Sequence, residues 1–297
     1  MYPRPFHYHR AGSLEQAATM LAQLGEEAKL LAGGQSLIPL MKLRFASPKH
    51  LVDLNYVPGA SYIKEEDDVL LLGALTRHAS IEHSPLAGRI PILHDCAAGI
   101  ADVQVRNRGT IGGSLAEADP SGDWAVALLT QTTEVRCLGT KGSRSVPLWE
   151  FIKDAYTTVL QPDEIVREIA VKIPSRGSGS AYLAFKRSAP VYPTASAAVQ
   201  LSLEAGVCKE VAIVLGCVGL TPVRVRAAED ALRGNSVDAK AIGTAMEAAH
   251  AAADPQPDMR GSAEYKRTLV AALVRRAIEA ASLRARGERV EVSHIYA

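Results

Sequence analysis

Residues 1–297 predict an α+β chain in three parts. The first is a small parallel α/β unit, the second a mainly antiparallel sheet, and the third an antiparallel three-stranded sheet carrying a helical bundle. Three observations predict this. Helix and strand patterns alternate over 13–55, an order that pairs strands in parallel. Strand-like runs, several with period-two alternation, recur between 69 and 174. Beyond the linker "PSRGSG" (174–179), three strand runs give way to helical periodicity that continues almost to the end. The resulting divisions are 1–57, 58–175 and 176–297.

In order, 13–24 reads as a helix. Ser13 and Gln16 have capping-box spacing, Leu14, Ala17, Leu21 and Leu24 share a face, and Gly25 stops it. A strand at 29–32 enters the turn Gly33-Gly34, and Ser36 is placed to cap a brief helix that tolerates Pro39 in its first turn. "HLVDLN" (50–55) is a second strand, and Pro58-Gly59 marks a boundary. "VLLLGALT" is strand-like, and 79–100 is helical with interruptions at Pro85 and Pro91. A second glycine pair, Gly112-Gly113, precedes helical "DWAVALLT" and the strand-like runs "TEVRCLG", "SRSVPL" and "EIVREIAVKIP". "AYLAFKRS", "TASAAVQLSLE" and "KEVAIVLGCVG" follow as antiparallel strands, then helices near 226–233, 236–252 and 262–286. Arg275, Arg276, Arg284 and Arg286 on the last helix read as a solvated face and dipole complement.

Composition excludes several classes of function. With 33 Lys and Arg against 32 Asp and Glu, no footprint for nucleic acid is visible. The longest apolar run, "VAIVLGCVGL", is half the roughly 20 residues a bilayer requires, so no transmembrane segment is expected. The amino-terminal "MYPRPFHYHR" lacks the apolar core of a signal peptide, and cytoplasmic residence is the expectation. Cys96, Cys137, Cys208 and Cys217 form no C-x-x-C pair, which argues against a metal or iron–sulfur site and for buried free thiols. The eight histidines show no ligand spacing and read as structural or surface residues.

The two glycine pairs carry the functional question. Each ends an apolar run and is followed by a small hydroxylic residue. Glycine permits φ > 0 and close approach, and successive N–H groups can form an anion nest. Two such turns together could hold a diphosphate, with the hydroxyls of Ser36, Thr110 and Ser114 adding hydrogen bonds. For either pair alone, a tight strand exit is the favoured reading. Neither a G-x-G-x-x-G fingerprint nor a Walker loop is present.

The surrounding residues narrow the choice. "AGGQSLIPLMKLRFASPKHLVDLN" and "RNRGTIGGSLAEADPSGDWAVAL" closely resemble the two flavin loops of the FAD-binding medium subunits of molybdenum hydroxylases, the carbon monoxide dehydrogenase and xanthine dehydrogenase family. The likeness runs from "YHRAGSLEQAATML" to "SAEYKRTLVAALVRRAIEAA". It implies a two-part PCMH-type FAD-binding domain followed by a C-terminal segment that closes over the cofactor.

By that resemblance, Ala32, Gly33, Gly34, Gln35 and Ser36, together with Thr110, Ile111, Gly112, Gly113 and Ser114, wrap the FAD diphosphate with backbone amides. Asp123 accepts hydrogen bonds from cofactor hydroxyls, although taken alone it reads as a helix cap. The backbone of Leu160 touches the flavin region. Lys186 lies near the ring, where a cation favours the anionic reduced flavin, and Tyr192 stacks on the ring. Taken alone, these three read as a core leucine, a solvent-facing lysine and a turn tyrosine. Ser114, Glu117 and Trp124 depart from the family pattern, which favours asparagine or aspartate, histidine and leucine there. None of these departures removes a backbone donor.

The resemblance further implies an oxidoreductase subunit with non-covalent FAD and no residue acting on substrate carbon. Electrons would reach the flavin from [2Fe–2S] clusters on a small partner subunit, with molybdopterin on a large one, in a dimer of heterotrimers. Two other readings stay open: a free-standing flavin oxidoreductase with its own organic substrate, and a non-enzymatic nucleotide-binding protein.

Overall fold

The computed structural model describes residues 2–292 and 295–296. The first sheet is fully parallel. Its strands are β1 (His7–Arg10), β2 (Ala28–Leu31) and β3 (His50–Asp53), in the order β1-β3-β2. Helix α1 (Leu14–Leu24) follows β1. Ser13 accepts from the Gln16 amide at 3.1 Å while Gln16 Oε1 accepts from the Gly12 amide at 2.6 Å, so both ends of the predicted capping pair are used. Gly25 stops the helix at φ 63°. Helix α2 (Leu37–Leu43) carries Pro39 in its first turn, but the Ser36 side chain does not cap it. Ser36 sits in the right-handed helical region rather than in the extended conformation a capping hydroxyl requires, and its hydroxyl is left for another partner. β1 was not anticipated, because its polar, largely exposed "HYHR" shows no apolar alternation.

The second sheet is antiparallel and begins with β4 (Ile63–Glu66), also missed, and β5 (Val69–Gly73). A run of short helices follows: α3 (His78–Glu82), α4 (Pro91–Gly99), α5 (Val103–Arg106), α6 (Ile111–Glu117) and α7 (Asp123–Leu128). Pro91 opens α4 instead of interrupting a helix, since its missing N–H costs nothing in a first turn. Strands β6 (Thr133–Gly139) and β7 (Gly142–Pro147) come next. Helix α8 (Leu148–Phe151) and the small pair β8 (Ile152–Asp154) and β9 (Thr157–Thr158) lead to β10 (Ile165–Lys172). The order is β4-β5-β10-β6-β7. Gly112 and Gly113 therefore lie inside the first turn of α6, not in a strand exit.

The third sheet contains β11 (Ser178–Lys186), β12 (Ala195–Glu204), β13 (Val207–Gly216) and β14 (Val223–Arg224). Helices α9 (Arg226–Leu232), α10 (Ala239–Ala252) and α11 (Ala263–Ala285) follow, and β15 (Ile295–Tyr296) pairs in parallel with β11. The three anticipated strands are the long ones, and two short edges make five. β11 starts at Ser178, so the last two residues of the expected linker belong to the sheet.

This third sheet is buried on both faces, which is why its strands read as nearly unbroken apolar runs. Tyr182, Ala184, Ala198 and Val214 face α4 and α7, while Ala181, Leu183, Val199 and Ile213 face α9–α11. One residue ties these layers together. Arg284, read from sequence as part of a solvated face, is 9 % exposed, and it forks onto the buried Asp95 carboxylate at 2.5 and 2.9 Å while donating to the Ser180 carbonyl at 2.6 Å. Breaking such a buried pair costs about 3–5 kcal/mol.

Candidate functional site

The two glycine turns meet at one cleft of about 270 Å³, which Lys186 at the end of β11 and Pro190, Val191 and Tyr192 of the following loop also line. The meeting is tight. A Cβ on Gly33 would fall 2.7 Å from Gly109 Cα and against the Arg108 carbonyl, so only glycine lets the β2–α2 turn lie on the α5–α6 turn. Gly34 has φ 76°, a left-handed backbone that turns the chain into α2. Among the described residues, the amides of Gly33, Gly34, Gln35 and Ser36 have no protein acceptor, and all four residues line the cleft. These are four unsatisfied donors at one wall.

The second turn differs. Ile111 N–H donates to Thr76 O at 3.1 Å, Gly112 N–H to Ala74 O at 2.9 Å and Ser114 N–H to Thr110 O at 3.0 Å. Gly113 N–H donates to Thr110 Oγ1 at 3.2 Å. These amides are committed within the protein and do not form the open nest expected from the sequence. What the turn presents instead are side chains: the hydroxyls of Thr110 and Ser114 line the cleft, and Thr110, accepting from Gly113, keeps its own O–H to donate. Ile111 and Gly112 point elsewhere. Ile111 is in the core, and a Cβ on Gly112 would meet Ala74, 2.5 Å from its Cβ, rather than any ligand path.

A polar clamp, not anticipated from the sequence, holds the two turns in register. Asn55 Nδ2 donates to Ala32 O at 2.8 Å and to Asp53 Oδ1 at 2.6 Å. Its Oδ1 accepts from Arg77 at 2.5 Å, and Arg77 in turn donates to the Arg108 carbonyl. Burial and the neighbouring Arg108 charge lower the Arg77 pKa. Asn55 ends the first quoted flavin-loop stretch, but a lone asparagine after a strand carries no signal of its own.

Of the remaining predicted residues, Asp123 lines the cleft as the first residue of α7. Gly122 takes the cap position, so the capping reading of Asp123 fails. Its carboxylate accepts from the buried Tyr182 hydroxyl at 2.6 Å. Lys186 is 1 % exposed, lines the cleft and donates to the Gly99 carbonyl; the third sheet packs it inward, not toward solvent. Tyr192 is 48 % exposed at the mouth, and its phenol is raised by partial burial and by the Asp119 carboxylate. Glu117 is also raised, by burial and by Asp119, with Lys29 opposing. Leu160 stays outside the cleft, against the apolar cluster that includes Leu72, Val135 and Ile169 of the second sheet, with its amide donating to Thr158 Oγ1 at 3.3 Å. His78, read as structural or surface, lines the cleft.

The cleft thus offers free amides and hydroxyls at one wall, a carboxylate for hydroxyl groups, one buried cation and an aromatic ring at the mouth. Residues 4–175 match the family model described as "FAD binding domain in molybdopterin dehydrogenase", and residues 180–281 match "CO dehydrogenase flavoprotein C-terminal domain". The chain belongs to the FAD-binding subunits of the molybdopterin dehydrogenases. It is similar to the carbon monoxide dehydrogenase medium chain of Afipia carboxidovorans, 39% identical over 96% of this chain and 100% of that one. It is similar also to the 6-hydroxypseudooxynicotine dehydrogenase complex subunit alpha of Paenarthrobacter nicotinovorans, 38% identical over 99% of this chain and 100% of the relative. Among solved structures, the carbon monoxide dehydrogenase from Hydrogenophaga pseudoflava superposes with a TM-score of 0.93 at 40% identity, covering 96% of this chain and 99% of that one. This flavoprotein subunit therefore has the family's fold along nearly its whole length. No helix among the described residues is long and apolar enough to cross a membrane.

Proposed function

We propose that this subunit holds non-covalent FAD in the cleft between its glycine turns, as one station of a molybdenum hydroxylase built as a dimer of heterotrimers. FAD, when bound, supplies the exchange between single electrons arriving from [2Fe–2S] clusters on a small partner subunit and an external acceptor. A large partner carries molybdopterin and the substrate. The single observation that supports this reading is the row of four unpaired amides at Gly33–Ser36, which lines one cleft together with Thr110 and Ser114.

The chain's own residues then have distinct tasks. The four amides bind the diphosphate without a basic side chain. Asp123, held by Tyr182, accepts from cofactor hydroxyls. Lys186, tied to the Gly99 carbonyl, keeps a fixed positive charge in a water-poor wall, where it is screened less than at the surface. Tyr192 covers one face of the ring at the mouth. We extend the reading to three units, 1–57, 58–175 and 176–297, on the ground that each contains one main sheet. Cytoplasmic residence is supported by four free thiols, as expected of a reducing compartment.

Native purification with analysis of flavin, iron and molybdenum tests the proposal. FAD should follow this chain, with iron and molybdenum following two co-eluting polypeptides, in an assembly twice the trimer mass. A chain that elutes alone with flavin and oxidises an organic substrate by itself would overturn the subunit reading. Acid precipitation should release the flavin, and a yellow pellet would mark a covalent bond. Among the described residues, no cysteine lines the cleft, and His78 is the one histidine that does.

A further inference from the structure

His78 has no role in the account above, yet its environment is specific. The side chain is 5 % exposed and reaches the cleft from the start of α3. Behind it, Trp124 Nε1–H donates to His78 Nδ1 at 3.0 Å. An indole nitrogen only donates, so Nδ1 is the bare nitrogen and a neutral ring carries its proton on Nε2. The ring is neutral: burial, with the cations Arg77 and Arg106 nearby, pushes its pKa down to about 3. Of the two cations, Arg106 is paired with Glu82 at 2.9 Å, and Arg77 belongs to the clamp on the two turns.

The other edge of the ring lies over Gly109. A Cβ there would fall 2.6 Å from His78 Nε2 and 2.7 Å from Cδ2, so glycine at 109 leaves the space the imidazole edge uses to reach the cleft. Nε2 has no hydrogen-bond partner among the described residues, and it is not a sealed atom either. A nine-tenths buried ring thus offers one unused, neutral N–H donor beside the two glycine turns.

We propose that His78 is a positioning residue of the flavin site, donating from Nε2–H to an acceptor atom of the bound dinucleotide, and that Trp124 selects the tautomer that makes this donor available. The proposal rests on the reading that FAD occupies the cleft.

The test uses the full chain, stripped of flavin and titrated with FAD. His78→Leu, which keeps bulk and loses the donor, should weaken binding about tenfold. His78→Gln, which keeps an N–H, should stay within about threefold of the parent. Trp124→Phe should fall between them, and 15N spectra of its histidines should show His78 passing from a single Nε2–H tautomer to a mixture. A parent chain whose His78 carries its proton on Nδ1 overturns the proposal, whether or not the variants fold. So does folded His78→Leu that binds FAD as tightly as the parent. A parent chain that takes up no FAD overturns the underlying flavin reading instead.

Discussion

The two glycine pairs look alike in sequence and do different physical work. At Gly33-Gly34, the missing side chains let one turn lie on another and let the backbone pass through a left-handed angle, and the amides are left open. At Gly112-Gly113, neither φ is positive, every amide from Ile111 to Ser114 is already paired, and Gly112 is needed because helix α6 starts against Ala74. The first pair leaves a row of open donors at the cleft, and the second is a packing joint that brings two hydroxyls to the same cleft. A dipeptide does not reveal which of these it is. Its neighbours in space do.

The comparison breaks most visibly at Gly33. Gly33→Val would drive a branched side chain into the Gly109 backbone and separate the turns, so FAD uptake should fall more than about 100-fold, read as flavin absorbance per protein. Full occupancy in the folded variant would show that the turns need not touch. Gly112→Val should act differently. Its side chain is aimed at Ala74, not at the cleft, so the first loss is stability, about 3 kcal/mol by denaturant titration, with flavin loss following from the displaced helix. If Gly112→Val kept parental stability and lost only FAD, the packing-joint assignment would be wrong.

What the sequence reveals follows the same division. Elements with strong periodicity or caps, such as α1 and β12, are found within a residue or two, because their stabilisation is local or runs along a buried face. Polar edge strands β1 and β4 are invisible, because backbone pairing with a neighbour makes them and no apolar pattern does. The glycine turns stand out by composition. The groups that position them are single polar residues, Asn55 and Arg77 from one side and His78 with Trp124 from the other, drawn from three places far apart in sequence: the end of β3, the start of α3 and α7. Arg284 is misread for a related reason: a basic residue at a helix end looks solvated until its partner, Asp95 on α4, is seen across the third sheet.

A pH titration sharpens the distinction between the packed side of the cleft and its open side. His78 has a folded pKa of about 3, below the value near 6.5 of an unfolded histidine. The unfolded chain therefore binds a proton first as pH falls, and the folded chain does not. This contribution is fully present above about pH 6.5 and is lost toward pH 3, at roughly 1.4 kcal/mol per pH unit. Denaturation midpoints of the parent should drop faster over that window than those of His78→Gln. Identical slopes would mean that the imidazole takes up a proton in the folded chain.

The smallest effects are expected at the hydroxyls, where the two turns come closest to equivalence. Ser36 caps nothing, and its hydroxyl lines the cleft next to free amides, so Ser36→Ala removes one donor from a wall that keeps four others. Ser114 lies on the side whose amides are committed, so its hydroxyl is a larger share of what that side offers. A single neutral hydrogen bond is worth about 0.5–1.5 kcal/mol. Ser36→Ala should weaken FAD by about twofold and Ser114→Ala by about five- to tenfold, both measured by flavin fluorescence with stability unchanged. The reverse ranking would mean that ligand binding releases the α6 amides from Thr110 and Ala74, so that the second turn acts as a nest only once the cofactor has arrived.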